Sequence, residues 1–501
     1  MLISLWYRRH VAGNRAATVL QATVSGVRHG RRQTINGIEM AVSPPTTTTA
    51  RLARFAAELS LPAIPAAVRQ RAQVAIIDAL GTVYAGLEET SVKKVRTHAL
   101  REAGAGAASL LGLGLTASPG AAALANGAAA HALDFDNISL TVSGFIASPC
   151  LFALLAVAEA SQQRVSGAQV VEAFVAGWEL ESAIAAGLGV DHYARGWHST
   201  ATLGHFGAAA AAARVLGLDT DRMRSALGVA AAEASGLRTM IGNMSNPFHV
   251  GKAARNGVTA ALLAADGFQA EPDVIEHSHG VAVAFNGKGN FDLDAMTSGL
   301  GSRWDLLDPG LVVKVYPCCG LIHSGIGATV ALRAQVDLAA IEQVTVAVHA
   351  LVPPTMKFPQ PRTGYEAKFS TQFCIATALL EGAVRLEHFT DERTRDPGLR
   401  ALMDRVTMVV HPELTESSTF LTREFTEVTL RLRDGSARTL RVNRIDNLGS
   451  RGRPLDVDGI ASKFEDCAQH HPRWPRLREA LTLLRDLEQL DDVRVALELL
   501  R

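Results

Sequence analysis

Residues 204–218, GHFGAAAAAARVLGL, are apolar around the whole circumference of a helix and consist mainly of alanine, glycine and leucine. A helix that is apolar on every side is buried, and small side chains let neighbouring helices pack closely. Similar stretches, AAALANGAAAHALDF and GVTAALLAADGF, occupy residues 121–135 and 257–268. The sequence therefore predicts a large bundle of buried helices.

The pattern changes near residue 309, where apolar residues begin to alternate with polar ones in short segments such as VVKVY and VTVAVHA. FTEVTLRL and RTLRVN flank the turn residues RDGSA, as in a β-hairpin. From residue 455 onward the pattern is helical again. We therefore predict a mainly α fold, with a large all-α helical domain over residues 46–308 and 446–501. A smaller α+β domain, residues 309–445, is inserted before the C-terminal helices.

Residues 1–45 are predicted to be a disordered extension. Residues 1–39 contain six arginines and one acidic residue, Glu39, a composition typical of a transit peptide. The alternative is a true start near Met40.

The overall composition argues against several classes of protein. Lysine and arginine total 49, as do aspartate and glutamate, so the charge balance does not indicate a nucleic-acid or membrane partner. The five cysteines are sparse and form no C-x-x-C motif, which favours a reducing compartment and a cytoplasmic location. Only eight of the 49 basic residues are lysines, so each lysine is informative.

Three polar clusters lie where helices are predicted to begin, at residues 198–200, 246–249 and 318–319. Helix N-termini expose unpaired N–H groups and a partial positive charge, and therefore attract anions. Asp134 lies just past a predicted helix, where a carboxylate could accept a proton. If these elements converge with Lys314, the sequence predicts a pocket for a small carboxylate substrate.

Each cluster also has a structural interpretation. His198 and His249 could be capping or core histidines, Lys314 could lie on an edge strand, and Cys318 and Cys319 could be inert buried residues. A metal site is disfavoured because adjacent cysteines do not ligate one ion comfortably and no second cluster has zinc spacing. The glycine-rich loops that bind nucleotides are also absent. We therefore predict no metal and no cofactor.

Five segments, in this order, resemble the MmgE/PrpD family, which includes 2-methylcitrate dehydratase, cis-aconitate decarboxylase and iminodisuccinate epimerase. The segments are HALDFDN (131–137), RGWHSTATLGHFGAAAAAARVLGLD (195–219), NPFHVGKAARNGVTAALLAADGF (246–268), VKVYPCCGLIH (313–323) and AKFSTQFCIATALLEG (367–382). The resemblance extends over about residues 50–500. It implies an all-α domain with an α+β lid, a homodimer, no metal, and a site in the cleft between the domains.

The family's functional positions carry over onto Asp134 in the D-F-D motif, His198 in the G-[FW]-H motif and Lys314 in the K-x-[YF]-P motif. We predict that these three residues are catalytic, with Asp134 and His198 sharing the roles of base and acid. Seven further residues are predicted to bind substrate. They are His249, Asn246, Phe145, Met244, Tyr316, Cys318 and Cys319.

Two positions depart from the family pattern. Many members have histidine where this chain has Phe145, and lysine where it has Asn246. A phenyl ring and an amide do not transfer protons at neutral pH, and loss of one such group costs about 10² to 10⁴ in rate. The departures predict a changed, less charged substrate.

We therefore predict a lyase that abstracts a proton next to a carboxylate or carbonyl, in a dehydration or a decarboxylation. One alternative is an isomerase or epimerase of a carboxylate, which needs fewer proton-transfer groups. The other is a non-catalytic, dimeric binding protein.

Overall fold

The computed structural model describes residues 47–102, 104, 106–416 and 424–501, which belong to one compact unit. The predicted N-terminal extension lies outside the described residues. One large hydrophobic cluster packs residues from 52–313 together with residues from 460–500. A second cluster packs residues from 318–432 with Ile241. The predicted mainly α fold with a smaller α+β part is confirmed, whereas the exact domain boundaries stay a prediction.

The helical bundle is formed by twelve helices of the described N-terminal part. They are α1 (Thr48–Glu58), α2 (Ala66–Gly86), α3 (Thr90–Glu102), α4 (Pro119–His131), α5 (Ala147–Ala160), α6 (Gly167–Leu188), α7 (Asp191–Ala194), α8 (Ser199–Thr202), α9 (Gly204–Val215), α10 (Thr220–Glu233), α11 (Ser245–Ala265) and α12 (Val281–Asn286). Two short strands, β1 (Ala108–Leu110) and β2 (Leu115–Ala117), form a hairpin beside it. None of the described helices is both long enough and apolar enough to cross a lipid bilayer.

Helices α4 and α11 approach each other through glycine. A Cβ atom built on Gly251 would lie 2.2 Å from the carbonyl oxygen of Leu124, and one built on Gly127 would lie 3.0 Å from the Gly251 Cα. No residue with a side chain fits at Gly251 without separating the two helices. This close approach brings the end of α4, which leads to Asp134, towards the first turn of α11, which carries Asn246 and His249.

The smaller α+β part contains a four-stranded sheet; it is called the lid below only as a label for residues 309–445. Its helices are α13 (His323–Arg333), α14 (Gly364–Ala367), α15 (Thr371–Glu381) and α16 (Pro397–Met403). Its strands are β5 (Ile341–Val348), β6 (Val406–Val410), β7 (Phe425–Leu432) and β8 (Ala437–Asn443), in the order β6-β5-β7-β8. Strands β5 and β6 are parallel, whereas β5 with β7 and β7 with β8 are antiparallel. The predicted hairpin is therefore the β7–β8 pair.

The chain crosses from the bundle to the lid through a very short strand. Strand β4 (Leu311–Val312) pairs with β3 (Ile138–Ser139), and the Val313 N–H then bonds to the Gly449 carbonyl oxygen at 3.0 Å instead of to a strand neighbour. The strand predicted over VVKVY is correct only at its first residue, Val312. Lys314 lies beyond it and is buried, so its interpretation as an edge-strand lysine is wrong.

The C-terminal helices return to the bundle. They are α17 (Val457–Ala468), α18 (Trp474–Arg485) and α19 (Arg494–Leu500). Helix α17 packs on α2, where a Cβ built on Gly81 would lie 2.9 Å from the Phe464 ring. This return places Lys463 of α17 beneath the turn that follows α4.

Candidate active site

A cavity opens between the bundle and the lid. The bundle contributes the residues that follow α4 and those near the starts of α8 and α11. The lid contributes the loop after β4 and single residues from its other segments. The lining residues are Asp134, Ile138, Ser143, Gly144, Phe145, Tyr193, His198, Ile241, Asn246, Lys314, Cys319, Gly320, Leu321, Thr355, Phe369 and Arg444.

Asp134 lies in the turn after α4 with a backbone φ of +52°. Left-handed backbone at a residue other than glycine costs about 1–2 kcal/mol, so other contacts must hold the turn. Lys314 Nζ donates to the Asp134 carbonyl oxygen at 2.9 Å and pairs with Asp134 Oδ1 at 2.8 Å. Lys463 Nζ donates to the carbonyl oxygen of Phe135 at 2.7 Å. Two buried ammonium groups, from distant parts of the chain, therefore fix this turn.

The Asp134–Lys314 pair combines two chemical functions. Asp134 is 3% exposed and Lys314 is 1% exposed, yet both line the cavity. The second carboxylate oxygen, Asp134 Oδ2, accepts no hydrogen bond from any residue that the structure describes. The pair thus offers a proton-accepting oxygen next to an ammonium group that can stabilise negative charge.

Phe145 contacts two basic side chains. Its ring centroid lies 4.7 Å from Lys314 Nζ and 4.1 Å from the centroid of the His131 ring. An ammonium group over an aromatic face gains about 0.5–2 kcal/mol. Phe145 does not transfer protons, so its role here is to orient Lys314 and to make one wall of the cavity apolar.

Asn246 occupies the first turn of α11 and is buried. Its Oδ1 atom has no hydrogen-bond partner among the described residues. Tyr365 lies near enough to Asn246 and Asp134 for both to affect the pKa of its hydroxyl, which burial raises most and the charge of Asp134 raises further. Asn246 lines the cavity, and its amide can donate a hydrogen bond to a substrate carboxylate or carbonyl.

His198 and His249 form a buried imidazole pair, with 2.9 Å between their Nδ1 atoms. His198 is the N-cap residue of α8 and lines the cavity, whereas His249 lies behind it in α11. Burial, followed by the charge of His249, lowers the pKa of His198 well below its ordinary value. Burial, followed by the charge of Lys252, lowers the pKa of His249 to about 4. Both rings are therefore neutral at physiological pH.

Arg444 marks another part of the cavity lining. It forms a buried ion pair with Glu424 of the lid, whose carboxyl pKa is raised by burial. Nearby in the lining, the Tyr193 hydroxyl lies 3.3 Å from Thr355 Oγ1. Arg238 stacks on the Tyr193 ring, with 4.1 Å from its Cζ to the centroid, and donates to Thr355 Oγ1 at 3.3 Å. This part of the cavity combines positive charge with hydroxyl groups and suits a carboxylate.

The two adjacent cysteines differ in position but are both protonated thiols. Cys319 lines the cavity, and burial, followed by the charge of Asp134, raises its pKa to about 12. Cys318 is fully buried, and burial raises its pKa well above the ordinary value. Lys368 holds this loop, because its Nζ donates to the Pro317 carbonyl oxygen at 2.7 Å and its carbonyl oxygen accepts the Cys319 N–H at 3.1 Å. The cysteines therefore shape the wall and are poor nucleophiles.

The structure brings six of the ten predicted site residues into the cavity lining and leaves four outside it. The six are Asp134, Phe145, His198, Asn246, Lys314 and Cys319. Of the other four, His249 contacts His198, and Tyr316 packs its ring 5.1 Å from that of His323. Cys318 is buried, and Met244 is 53% exposed. Across the described ranges, no three His, Cys, Asp or Glu side chains are grouped so that they could hold a metal ion.

The cavity residues around Arg444 were not predicted from the sequence. Arg444 is one of many arginines, and Tyr193 and Thr355 stand in segments without a distinctive pattern. The role of Lys368 could have been predicted from the sequence, because lysine is rare in this chain and Lys368 belongs to the family segment at 367–382.

Two family models match most of the chain. The MmgE/PrpD N-terminal domain matches residues 50–294, and the MmgE/PrpD C-terminal domain matches residues 316–488. The chain belongs to the MmgE/PrpD family. The resemblance seen in the five sequence segments is thereby confirmed.

Three curated relatives extend over most of the chain. Cis-aconitate decarboxylase of Aspergillus terreus (strain NIH 2624 / FGSC A1156) is 28% identical over 474 residues, 90% of this chain and 95% of the relative. Cis-aconitate decarboxylase of Homo sapiens is 26% identical over 410 residues, 76% and 79% of the two chains. The cis-aconitate decarboxylase-like protein oryM of Aspergillus oryzae (strain ATCC 42149 / RIB 40) is 29% identical over 400 residues, 73% and 80%. Each of these relatives aligns with this chain over most of its own length.

Proposed function

We propose that this chain is a lyase of the decarboxylase type that acts on a small carboxylic acid without a cofactor. The observation that carries the proposal is the buried Asp134–Lys314 pair, 2.8 Å apart, which shares one cavity with His198. The similarity to named cis-aconitate decarboxylases over most of the chain supports the same reaction class.

Decarboxylation suits the groups that remain at this site. When the carbon–carboxylate bond breaks, the electron pair stays on the substrate carbon and its conjugated acceptor, and a proton must then be added. The Lys314 ammonium lies where it can stabilise the developing negative charge, and His198 can deliver the proton. Dehydration needs both a base and an acid for the leaving hydroxyl, so it suffers more from the replacements at Phe145 and Asn246.

The substrate is proposed to carry fewer negative charges than the tricarboxylate named in the relatives. Ile138, Phe145 and Leu321 make part of the lining apolar. The positive groups in the lining are Lys314 and Arg444, and each already has an acidic partner. We expect one carboxylate near Arg444 and the reacting carbon near Lys314, with an apolar group between them.

The test uses the full chain in D₂O with cis-aconitate and a series of unsaturated mono- and dicarboxylates, followed by NMR. We expect CO₂ release and one deuterium in the product of a mono- or dicarboxylate. Lys314→Met should lower turnover by about 10² or more, because it removes the charge that stabilises the transition state. Lys288→Met, an exposed lysine, is the matched control and should leave turnover unchanged.

The same experiment separates the alternatives. Deuterium in a product with an unchanged carbon skeleton would indicate an isomerase or epimerase. The presence of both Asp134 and His198 in the cavity lining also permits that reaction. Binding of an acid without exchange or CO₂ release would indicate a binding protein. Either result contradicts the proposed decarboxylation.

A further inference from the structure

The imidazole pair of His198 and His249 requires a proton between its two rings. The Nδ1 atoms are 2.9 Å apart, a hydrogen-bond distance, so one of them donates and the other accepts. When His249 Nδ1 donates, the proton of neutral His198 sits on Nε2. When His198 Nδ1 donates, His198 Nε2 carries a lone pair instead. The His249 tautomer therefore sets whether His198 is an acid or a base at Nε2.

The geometry of the pair is fixed by backbone on both sides. The His198 N–H donates to the Gly236 carbonyl oxygen at 3.1 Å, and His249 is held in the first turns of α11. The charged and titratable groups that influence His249 are Lys252 on the same helix and His131 on α4, and Arg238 also influences His198. All of them oppose a positive charge on the pair, so the rings exchange protons as neutral groups.

The two rings differ in their access to water. His198 is 2% exposed and lines the cavity, which the substrate fills during the reaction. His249 retains 7% exposure and is absent from the cavity lining. Because His249 lies outside the lining, a substrate that fills the cavity does not contact it directly.

We propose that His249 is a positioning residue that supplies a solvent proton to His198 during turnover. The inference rests on the proposed decarboxylation, which consumes one proton for each CO₂ released. It changes the expected role of His249 from substrate binding to proton supply.

The proton balance of the step is simple. The carbon–carboxylate bond breaks, CO₂ leaves, and the electron pair on carbon takes the proton from His198 Nε2. The proton on His249 Nδ1 crosses to His198 Nδ1, and water gives a proton to His249 Nε2 and leaves hydroxide. Both histidines end neutral with their tautomers exchanged. After product release, the cavity fills with water, and the reverse transfers restore the first state.

The test compares two substitutions that affect the hydrogen bond differently. In His249→Asn, the side-chain amide occupies the place of Nδ1, so it keeps a hydrogen bond to His198 but does not relay a proton. In His249→Ala, both functions are lost, and free imidazole can enter the space. His279→Asn, at an exposed histidine, is the control that should leave turnover unchanged.

We expect His249→Asn to lower kcat by about 10² to 10⁴ with little change in KM. We expect added imidazole to restore part of the turnover of His249→Ala but not that of His249→Asn. A His249→Asn enzyme with nearly normal kcat, beside an inactive His249→Ala enzyme, would overturn the proposal, because orientation alone would then explain the contact.

A second measurement does not depend on turnover. Nitrogen-15 NMR of the labelled wild-type protein at neutral pH should show one Nδ1–H histidine coupled to one Nε2–H histidine. In His249→Ala, the Nδ1–H signal of His249 and the coupling should be missing, whereas His198 still gives a signal. If His198 and His249 are both Nε2–H tautomers, no proton lies between them and the relay is refuted. If the tautomers are as expected but no acid loses CO₂, the proposed decarboxylation is wrong, whereas the proton shared between His198 and His249 is confirmed.

Discussion

Replacing Lys463 with methionine should destabilise the protein by about 3–5 kcal/mol at neutral pH, the usual cost of breaking a buried ion pair from one side. Lys463 Nζ lies 2.7 Å from Asp78 Oδ1, and the Asp78 carboxylate is fully buried. It also lies 3.9 Å from the Phe135 ring centroid and donates to the Phe135 carbonyl oxygen. After the substitution, the hydrogen bond that Asp78 keeps within the described ranges is the 2.9 Å bond from Asn137, which does not offset a buried charge.

The loss should depend on pH in a defined direction. Burial already raises the pKa of Asp78, and Lys463 is the largest influence that opposes this shift. In the variant, the folded-state pKa of Asp78 rises further above its unfolded value. A carboxyl group whose pKa is raised on folding stabilises the fold fully when the pH is below its unfolded-state pKa. This stabilisation is lost as the pH rises towards its folded-state pKa. The variant is therefore least impaired near pH 4. Its deficit in stability relative to the wild type grows by about 1.4 kcal/mol per pH unit once the pH exceeds the raised pKa of Asp78 in the wild type, until Asp78 ionises in the folded variant.

Urea denaturation followed by circular dichroism at several pH values measures these effects. Lys288→Met is the matched control and should change the free energy of unfolding by less than about 0.5 kcal/mol. The double variant Lys463→Met/Asp78→Asn should recover most of the lost stability, because no buried charge remains. A loss that is independent of pH, or a double variant no more stable than the single one, would refute the reasoning.

Three other predictions concern the helix contact, the thiols and the histidine pair. Gly251→Ala should lower the free energy of unfolding by about 1–3 kcal/mol or more and reduce turnover, since its Cβ would lie 2.2 Å from the Leu124 carbonyl oxygen. Gly327→Ala in α13 has open space around its Cβ and should raise the free energy of unfolding by up to about 1 kcal/mol. The midpoints of urea denaturation compare the two variants. Iodoacetamide at about pH 8 should leave Cys319 unmodified in the native protein by mass spectrometry, because burial raises its pKa to about 12. In the pH–rate profile, turnover should not decrease near the ordinary histidine pKa and should fall only towards about pH 4, where His249 becomes protonated. A decrease in the rate at about pH 6.5 that is absent from His249→Asn would contradict this.

Patterning was sufficient for the architecture because it reports burial directly. The alanine-rich stretches at 121–135, 204–218 and 257–268 overlap the buried helices α4, α9 and α11, and the alternation at 425–443 forms the β7–β8 hairpin. The strand at VVKVY was overpredicted, because the partner strand β3 is only two residues long and Gly449 then takes the next backbone bond. The length of a partner strand is not visible in a local pattern.

The site was harder to predict because side-chain direction depends on tertiary packing. Motifs brought Asp134, Lys314 and His198 to attention, and all three line the cavity. No motif shows that His249 points at His198 rather than at a ligand, since both residues lie near a helix N-terminus. Arg444 joins the cavity only because β8 brings the segment after it beside the crossing from bundle to lid, a long-range arrangement that no local pattern contains.

The two lysines that hold the turn after α4 also set the order in which the site can be completed. Lys314 lies at the entrance to the lid, and Lys463 lies in the third helix from the end of the chain. While the protein is being synthesised, the bundle leaves the ribosome before either ammonium group is in place. The strained backbone at Asp134 can be secured only when the last forty or so residues dock. A chain shortened to the family N-terminal domain therefore contains most of α1 and all of α2–α12 but lacks both lysines that hold the site.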